Sequence, residues 1–356
     1  MIEVPTLRNT WWVAMWAQDL PPGQLVARRI MNEPLVFYRT EDGHPTALLD
    51  RCAHRWAQLS LGKLLPEGRV ACPYHGLEFD AHGICVRNPH PNYKIPPGMR
   101  VRSYPVAEKH SAIWIWMGDG DPDESLIPDF SMLDYDAPDP VAKRDYLLMH
   151  ASWDLVTDNL LDLSHTAFLH YGLLGNEGTI EADTVVQQQG NSITIKRDYK
   201  NIPVVKFFDL LLYQDGKNVD MFNYLTWHAP ACMINDTGAM RPGMTREHGT
   251  GIKGIHFLTP ETDTTSHYHF AASRWNVFPR SEAENAELLR QIAELRKVAF
   301  KDQDEVVIAA QQMRVNEAGK ENLRPVLIGV DAGVERAHRI LREMAEREHR
   351  APVTTN

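Results

Sequence analysis

Up to about residue 118 the hydrophobic positions fall in short runs broken by turn residues, the punctuation of β-strands. PLVFYRTEDGHPTALLD sets two apolar runs on either side of Asp42-Gly43, and GLEFDAHGICV repeats the form around His82-Gly83, so each predicts a hairpin. AIWIWMG adds a further strand, alternating Ile113 and Ile115 with Trp114 and Trp116 and stopping at Gly118. GDGDPDESLIPDF, rich in Gly, Asp and Pro, then marks a boundary. Beyond it helical spacing covers about 152–170. Strands are expected around 192–199, 205–213, 219–228, 252–259 and 266–278, followed by long helices over 281–315 and 331–348. The pattern predicts an α+β chain: an all-β domain over 1–120, then a domain over 121–356 in which helices pack on one face of an antiparallel sheet, a helix-grip arrangement.

The composition narrows where this chain works. With 356 residues, 43% of them hydrophobic, it can bury one large core or two moderate ones. The start MIEVPTLRNTWW lacks the basic-then-apolar form of a signal peptide, and no stretch approaches the ~20 uncharged residues of a membrane span, so a cytoplasmic protein without a membrane partner is expected. A net charge of -10, with no long Lys/Arg run, argues against nucleic acid as a partner. In a reducing compartment the four cysteines suit metal binding or packing better than disulfides. Cys85 and Cys232 carry no pattern and read as packing residues.

The other two cysteines are patterned. Cys52 precedes His54 by two residues, and Cys72 precedes His75 by three, with 17 residues between the pairs. Two thiolates and two imidazoles satisfy a tetrahedral zinc site. Zinc fingers, however, usually pair Cys with Cys and His with His, whereas a Rieske 2Fe-2S cluster needs two thiolates on one iron and two imidazoles on the other. Two mixed loops supply that set.

DNLLDLSHTAFLH offers a second set. Asn159, Asp162 and His165 lie three residues apart and so share one face of a helix, within about 120°, with Leu155 and Leu169 extending the stripe. His170 is about 140° further round from His165, so the two imidazoles can meet one metal only if the helix ends or bulges between them. Such a distortion is expected there, with Gly172 ending the helix. Two histidines and one carboxylate form the facial triad of non-haem Fe(II) oxygen chemistry. In RKVAFKDQDEVVIAAQQ, Asp304 shares a helical face with Phe300, Val307 and Ile308, which turns its carboxylate toward an apolar core, while Asp302 and Glu305 fall on the solvent side. Unpaired burial of that carboxylate would be costly. A metal removes the cost, as would an Arg at the edge of the core.

CAHR and CPYHGLEF closely resemble the Rieske motif of aromatic-ring oxygenases, and the resemblance extends over essentially the whole chain. It is nearest to the oxygenase (α) subunits of the vanillate and dicamba O-demethylase group, through RNTWWVAMWAQDL, CPYHGLEFDAHGICV, DNLLDLSH, LTPETDTTSHYHFAASR and the region of Asp304. The resemblance implies that Cys52 and Cys72 hold the inner iron of the cluster, His54 and His75 the outer one, and His165, His170 and Asp304 a mononuclear iron. It makes Asp162 a bridge accepting hydrogen bonds from His75 and His165, and Asn159 a polar neighbour of the iron. It also implies a homotrimer joined head to tail, each cluster feeding its neighbour's iron.

The activity so implied is O2-dependent monooxygenation of a small aromatic acid, with O-demethylation of a methoxy-aromatic acid in first place. Ring dihydroxylation or side-chain hydroxylation are alternatives within the class, and a Rieske-type electron carrier lies outside it. No GxGxxG after a strand, flavin fingerprint or ferredoxin cysteine run occurs, so a separate NAD(P)H-dependent reductase of flavin or ferredoxin type is expected. By alignment with the dicamba enzyme Asn235 and His267 match residues holding the substrate carboxylate, and Leu295 replaces a tryptophan. Read from the residues alone, Asn235 and His267 serve equally well as strand residues bonded to backbone.

Overall fold

A computed structural model describes residues 4–92, 94–134 and 143–350, whose contacts divide the chain into two units. The first holds Arg8–Phe130 together with the returning segment Thr259–Asp263. Of the described residues, the second holds 4–7, 131–258 and 264–350.

The first unit is all β apart from short 3-10 turns. Its strands are β1 (Trp11–Trp16), β2 (Val26–Ile30), β3 (Glu33–Arg39), β4 (Pro45–Leu49), β5 (Lys63–Leu65), β6 (Arg69–Ala71), β7 (Glu78–Phe79), β8 (Cys85–Arg87), β9 (Ser103–Tyr104), β10 (Val106–Lys109) and β11 (Ala112–Trp116). They form three sheets, in the orders β1-β11-β10, β2-β3-β4-β9 and β5-β6-β7-β8. Both expected hairpins are present: β3 pairs with β4 around Gly43, and β7 with β8 around Gly83. Gly83 has φ +76°, and a Cβ there would lie 2.2 Å from the Val101 carbonyl oxygen, so the turn admits no side chain. Cys52 and Cys72 belong to this unit's core, packed with Val36, Leu59, Val70 and Phe79.

The second unit is built on a seven-stranded sheet of β12 (Lys143–Met149), β13 (Val185–Gln189), β14 (Ser192–Ile202), β15 (Val219–His228), β16 (Cys232–Met240), β17 (Thr250–Pro260) and β18 (Ser266–Trp275), ordered β12-β18-β17-β16-β15-β14-β13. Its pairings are antiparallel. The helices are α1 (Trp153–Leu161), α2 (Glu177–Ile180), α3 (Lys206–Leu211), α4 (Glu282–Lys297), α5 (Glu305–Ala318) and α6 (Ala332–Arg350). Among the described residues no helix is long and apolar enough to cross a membrane.

Several expectations are corrected here. The apolar run at 205–213 contains helix α3 rather than a strand, its Phe207, Phe208 and Leu211 packing with Leu288 and Ile292 of α4. Strands β12, β13 and β16 did not stand out in the pattern. The helix expected over 152–170 stops at Leu161 with Asp162 as its C-cap, so it ends before His165 rather than between the two histidines.

The helix expected over 281–315 is present but not uniform. It starts with a capping box, in which Ser281 Oγ accepts from Glu284 N (3.3 Å) and Ser281 N donates to Glu284 Oε2 (2.8 Å). It then widens into a π-helix over Val298–Asp304 before α5 resumes. Ala299 and Asp304, five residues apart, are both buried, as one turn of π-helix requires. The extra residue shifts the phase of everything after it. Val307, expected in the apolar stripe, is 41% exposed, while Ile308 stays buried. Glu305, expected in solvent, is mostly covered, and His150 Nδ1 lies 2.7 Å from its Oε1. Asp302 is exposed as expected.

Candidate active site

The two Cys/His loops of the first unit share one backbone design. Cys52 N donates to Ala57 O (2.8 Å) and Cys52 O accepts from Trp56 N (2.9 Å); Cys72 N donates to Leu77 O (2.8 Å) and Cys72 O accepts from Gly76 N (3.0 Å). Both loops turn through the left-handed region four residues after the cysteine, at Trp56 (φ 59°) and Gly76 (φ 69°). Positive φ at a bulky Trp is uncommon and shows how firmly the turn is imposed.

The loops bring thiol to thiol and imidazole to imidazole. Cys52 and Cys72 are buried, and burial, with Cys72 alongside, pushes the Cys52 thiol up to about 11. Holding Cys52 as a thiolate at neutral pH therefore requires a cation beside it. His54 Nδ1 and His75 Nδ1 lie 3.2 Å apart on the outer side, His54 being exposed and His75 half-buried. The four donor atoms do not converge on one point. Among the described residues the single group of three or more such atoms within 4.8 Å of one another lies elsewhere, at His165, His170 and Asp304. That division fits two irons, one between sulfurs and one between nitrogens, better than one zinc.

In the second unit His165 sits on a 3-10 turn just after α1, His170 is buried shortly beyond it, and Asp304 ends the π-helix. His170 Nε2 lies 3.1 Å and His165 Nε2 3.7 Å from Asp304 Oδ1, with the two rings 5.0 Å apart at 71°. Each Nδ1 faces an oxygen acceptor: the Asp162 backbone carbonyl for His165, and Gln303 Oε1, at 2.7 Å, for His170. A neutral imidazole that donates from Nδ1 keeps its lone pair on Nε2. Both lone pairs therefore aim at the carboxylate, the donor set of a two-histidine, one-carboxylate iron site. Burial holds His165 below its usual range, which favours this neutral form, while for His170 the hydrogen bond and charge of Asp304 outweigh burial and raise it.

Asn159 Nδ2 donates to Asp304 Oδ1 (3.3 Å), the same oxygen that both imidazoles approach. Asp162 accepts from His165 at its backbone carbonyl, and its carboxylate adds its charge near that ring without a hydrogen bond to it. Its carboxylate accepts from Ser164 N (2.8 Å) and Ser164 Oγ (2.5 Å) instead.

A cavity opens from this triad between the sheet and the α4–π segment. Alternate residues of three strands line it: Asn223 and Leu225 of β15, Asn235 and Thr237 of β16, Gly254 and His256 of β17. Gly254 makes room, because a Cβ there would lie 3.1 Å from His256 Nε2 and 3.7 Å from Asn235 Cβ. Leu295, Arg296, Ala299 and Phe300 form the helical wall. Asn235 and Leu295 line this cavity, but His267 does not. On β18 it faces away from Tyr268 and Phe270, which pack on Phe300, and its imidazole lies 2.9 Å from Tyr146 OH. His256 takes the cavity position. Sequence reasoning missed it, along with Gln303 and Arg296, since none stands in a recognisable spacing with the triad.

The chain matches the Rieske [2Fe-2S] domain over residues 10–105 and the vanillate O-demethylase oxygenase C-terminal domain over 149–347. Cluster loops in a β unit and a facial triad under a helix-flanked sheet define a Rieske non-haem iron monooxygenase, oxygenase component, whose cofactors are a 2Fe-2S cluster and a mononuclear iron. The chain belongs to the family of vanillate and dicamba O-demethylase oxygenase subunits. It is 34% identical to the dicamba O-demethylase oxygenase component of Stenotrophomonas maltophilia, covering 96% of this chain and 98% of that one. It is also 34% identical to a putative toluene-4-sulfonate monooxygenase system iron-sulfur subunit of Comamonas testosteroni, with the same coverage. A crystal structure of dicamba monooxygenase bound to 3,6-dichlorosalicylic acid matches with a TM-score of 0.86, at 32% identity and 96% and 98% coverage.

Proposed function

We propose that the protein monooxygenates a small aromatic acid at a ring substituent, with O-demethylation of a methoxy-aromatic acid the favoured reaction. The observation that carries this reading is one cavity running from His165, His170 and Asp304 along apolar walls to Asn235 and His256. On this reading Cys52, Cys72, His54 and His75 hold the cluster in a domain over 1–120. His165, His170 and Asp304 hold the iron in a catalytic domain over 121–356, and Asn159 steadies the carboxylate. The bound metals supply electron delivery and O2 activation. The protein's own part is placement.

Phe207, Phe208, Leu225, Phe270 and Phe300 offer apolar surface to an aromatic ring. His256 Nδ1 lies 2.6 Å from Tyr268 OH, and burial lowers His256 to about 3, so its imidazole is neutral. If the tyrosine donates to Nδ1, Nε2–H becomes a donor toward the cavity. Asn235 adds an amide whose oxygen is buried without a partner. Electrons come from a separate NAD(P)H-dependent reductase, and the protein works as a cytoplasmic homotrimer.

O2 uptake over methoxybenzoates, with a reductase supplied, tests the reading. Stoichiometric formaldehyde and a phenol are expected, because a hydroxylated methoxy carbon collapses to those products. A cis-dihydrodiol would replace the reading with ring dihydroxylation. Asp162→Asn is expected to keep both metals and slow turnover by about 10- to 100-fold, the usual cost of an outer-shell partner. Unchanged turnover would exclude a bridging role for Asp162.

A further inference from the structure

We propose that Arg296 sets the substrate class of this cavity, its guanidinium pairing with the carboxylate or sulfonate of an anionic aromatic substrate. The inference rests on the reading above and names a residue and a charge requirement within it.

Two other arginines of the second unit, Arg197 buried and Arg280 half-buried, lie off the cavity and bind backbone carbonyls. Arg197 Nη2 donates to the carbonyls of Thr179 (2.9 Å), Ile180 (3.3 Å) and Ala182 (2.9 Å). Arg280 Nη2 donates to those of Leu210 (3.0 Å), Leu211 (3.1 Å) and Leu212 (3.0 Å). Each of these nitrogens is saturated by backbone.

Guanidinium nitrogens buried without an acceptor also occur at Arg197 Nε and at Arg274 Nε and Nη2, none of which lines the cavity; Arg296 differs in lining it. Its side chain is 13% exposed and lines the cavity with Leu295, Ala299 and Phe300. Its guanidinium stacks over Phe270, 4.9 Å from the ring centre. Asp145 Oδ2 approaches Nη2 to 3.3 Å, but off the line of its N–H bonds, so Nη2 is buried without a hydrogen-bond acceptor. Among the described residues lining the cavity, Arg296 alone carries a permanent positive charge, and the one carboxylate there, Asp304, is committed to the triad.

A planar fork of five donors with one imperfect partner is a costly thing to bury beside a neutral ligand. An anion with two or three oxygens supplies the missing acceptors in the geometry that guanidinium prefers. Asn235 and His256 can bond a neutral or an anionic group alike. The charge requirement therefore falls on Arg296.

Equilibrium binding to the holoenzyme tests this, using methoxybenzoates and methoxybenzenesulfonates against the matching primary amides and sulfonamides. Arg296→Gln should weaken the acids by on the order of 30-fold or more, the scale for truncating one partner of a buried charge pair, and leave the neutral probes within about 2-fold. Asp145→Asn should act the other way, tightening the acids several-fold by removing the competing carboxylate. The acid series showing the larger loss identifies carboxylate or sulfonate as the group held. Iron and cluster content are measured alongside. If Arg296→Gln fails to fold, Asp145→Asn and the double variant, which buries neither charge, carry the test.

Equal loss for acids and neutral probes, or weaker acid binding in Asp145→Asn, would make the pair structural and overturn the proposal. Acids bound and demethylated by both wild type and Arg296→Gln with equal affinity overturn it too, while leaving the proposed function intact. A wild type that binds none of the acids overturns the proposed function, and this inference with it.

Discussion

Asp304→Ala will strip the mononuclear iron and abolish turnover while the red-brown Rieske cluster survives. Asp304 Oδ1 is where His170 Nε2, His165 Nε2 and Asn159 Nδ2 meet, at 3.1, 3.7 and 3.3 Å. No other acidic side chain joins this group among the described residues. Alanine leaves two neutral imidazoles, a poor site for ferrous iron. Because losing even an outer-shell partner costs roughly 10- to 100-fold, loss of the proposed carboxylate ligand should cost more than about 100-fold in activity. The cluster loops lie in the other unit and draw on none of these residues, so the reduced variant should keep its Rieske EPR signal. Iron analysis and EPR on one sample decide the matter. Loss of both metals would instead show that Asp304 holds up the fold. Asp304→Asn, which keeps the volume, separates a lost charge from a cavity.

What the sequence made legible here is what depends on local spacing. The Cys/His loops could be read because each is a self-contained turn, closed by its own backbone hydrogen bonds between Cys52 and Ala57 and between Cys72 and Leu77. β15 and β18 could be read because a buried strand in a helix-covered sheet carries long apolar runs. α3 could not, since a short apolar run such as VKFFDLLL fits a strand or a helix equally and only packing on α4 decides. Nor could β16, whose CMINDTGAM puts Asn235 and Thr237 on a face that would elsewhere be core but here lines the cavity. A cavity wall breaks the apolar pattern because ligand, not side chain, fills the space.

The π-helix shows the same limit in another form. Asp304 was legible as an inward carboxylate because it stands four residues before Ile308 on the regular helix that follows. Val307 was misplaced because the periodicity argument assumes 3.6 residues per turn on both sides of Asp304. The widened turn also puts Gln303 against His170, so one irregularity supplies both the proposed carboxylate ligand and the acceptor that orients a proposed imidazole ligand. Arg296 was invisible for a different reason. Its partner Asp145 lies on β12, about 150 residues earlier, and a charge is only informative once its neighbours are known.

The proposed head-to-tail trimer makes a quantitative prediction that separates it from transfer within one chain. His75→Ala disables the cluster and spares the triad; Asp304→Ala removes the iron and spares the cluster. Each homotrimer should therefore be inactive. If the electron passes from one chain's cluster to the next chain's iron, a mixed ring regains activity wherever a His75→Ala chain, with intact iron, follows an Asp304→Ala chain, with intact cluster. In a closed head-to-tail ring assembled at random from equal amounts, that order occurs at about one junction in four, so about a quarter of wild-type activity should return. The fraction is the same for any ring size. Skewing the mixture toward either variant should lower it, because the product of the two chain fractions is greatest when they are equal. Transfer within one chain predicts no recovery at any ratio, since no chain then owns both sites. Mass spectrometry of the mixed assemblies supplies the necessary control. Mixed rings without activity would refute the inter-subunit route, and recovery that peaks near equal mixing would establish it.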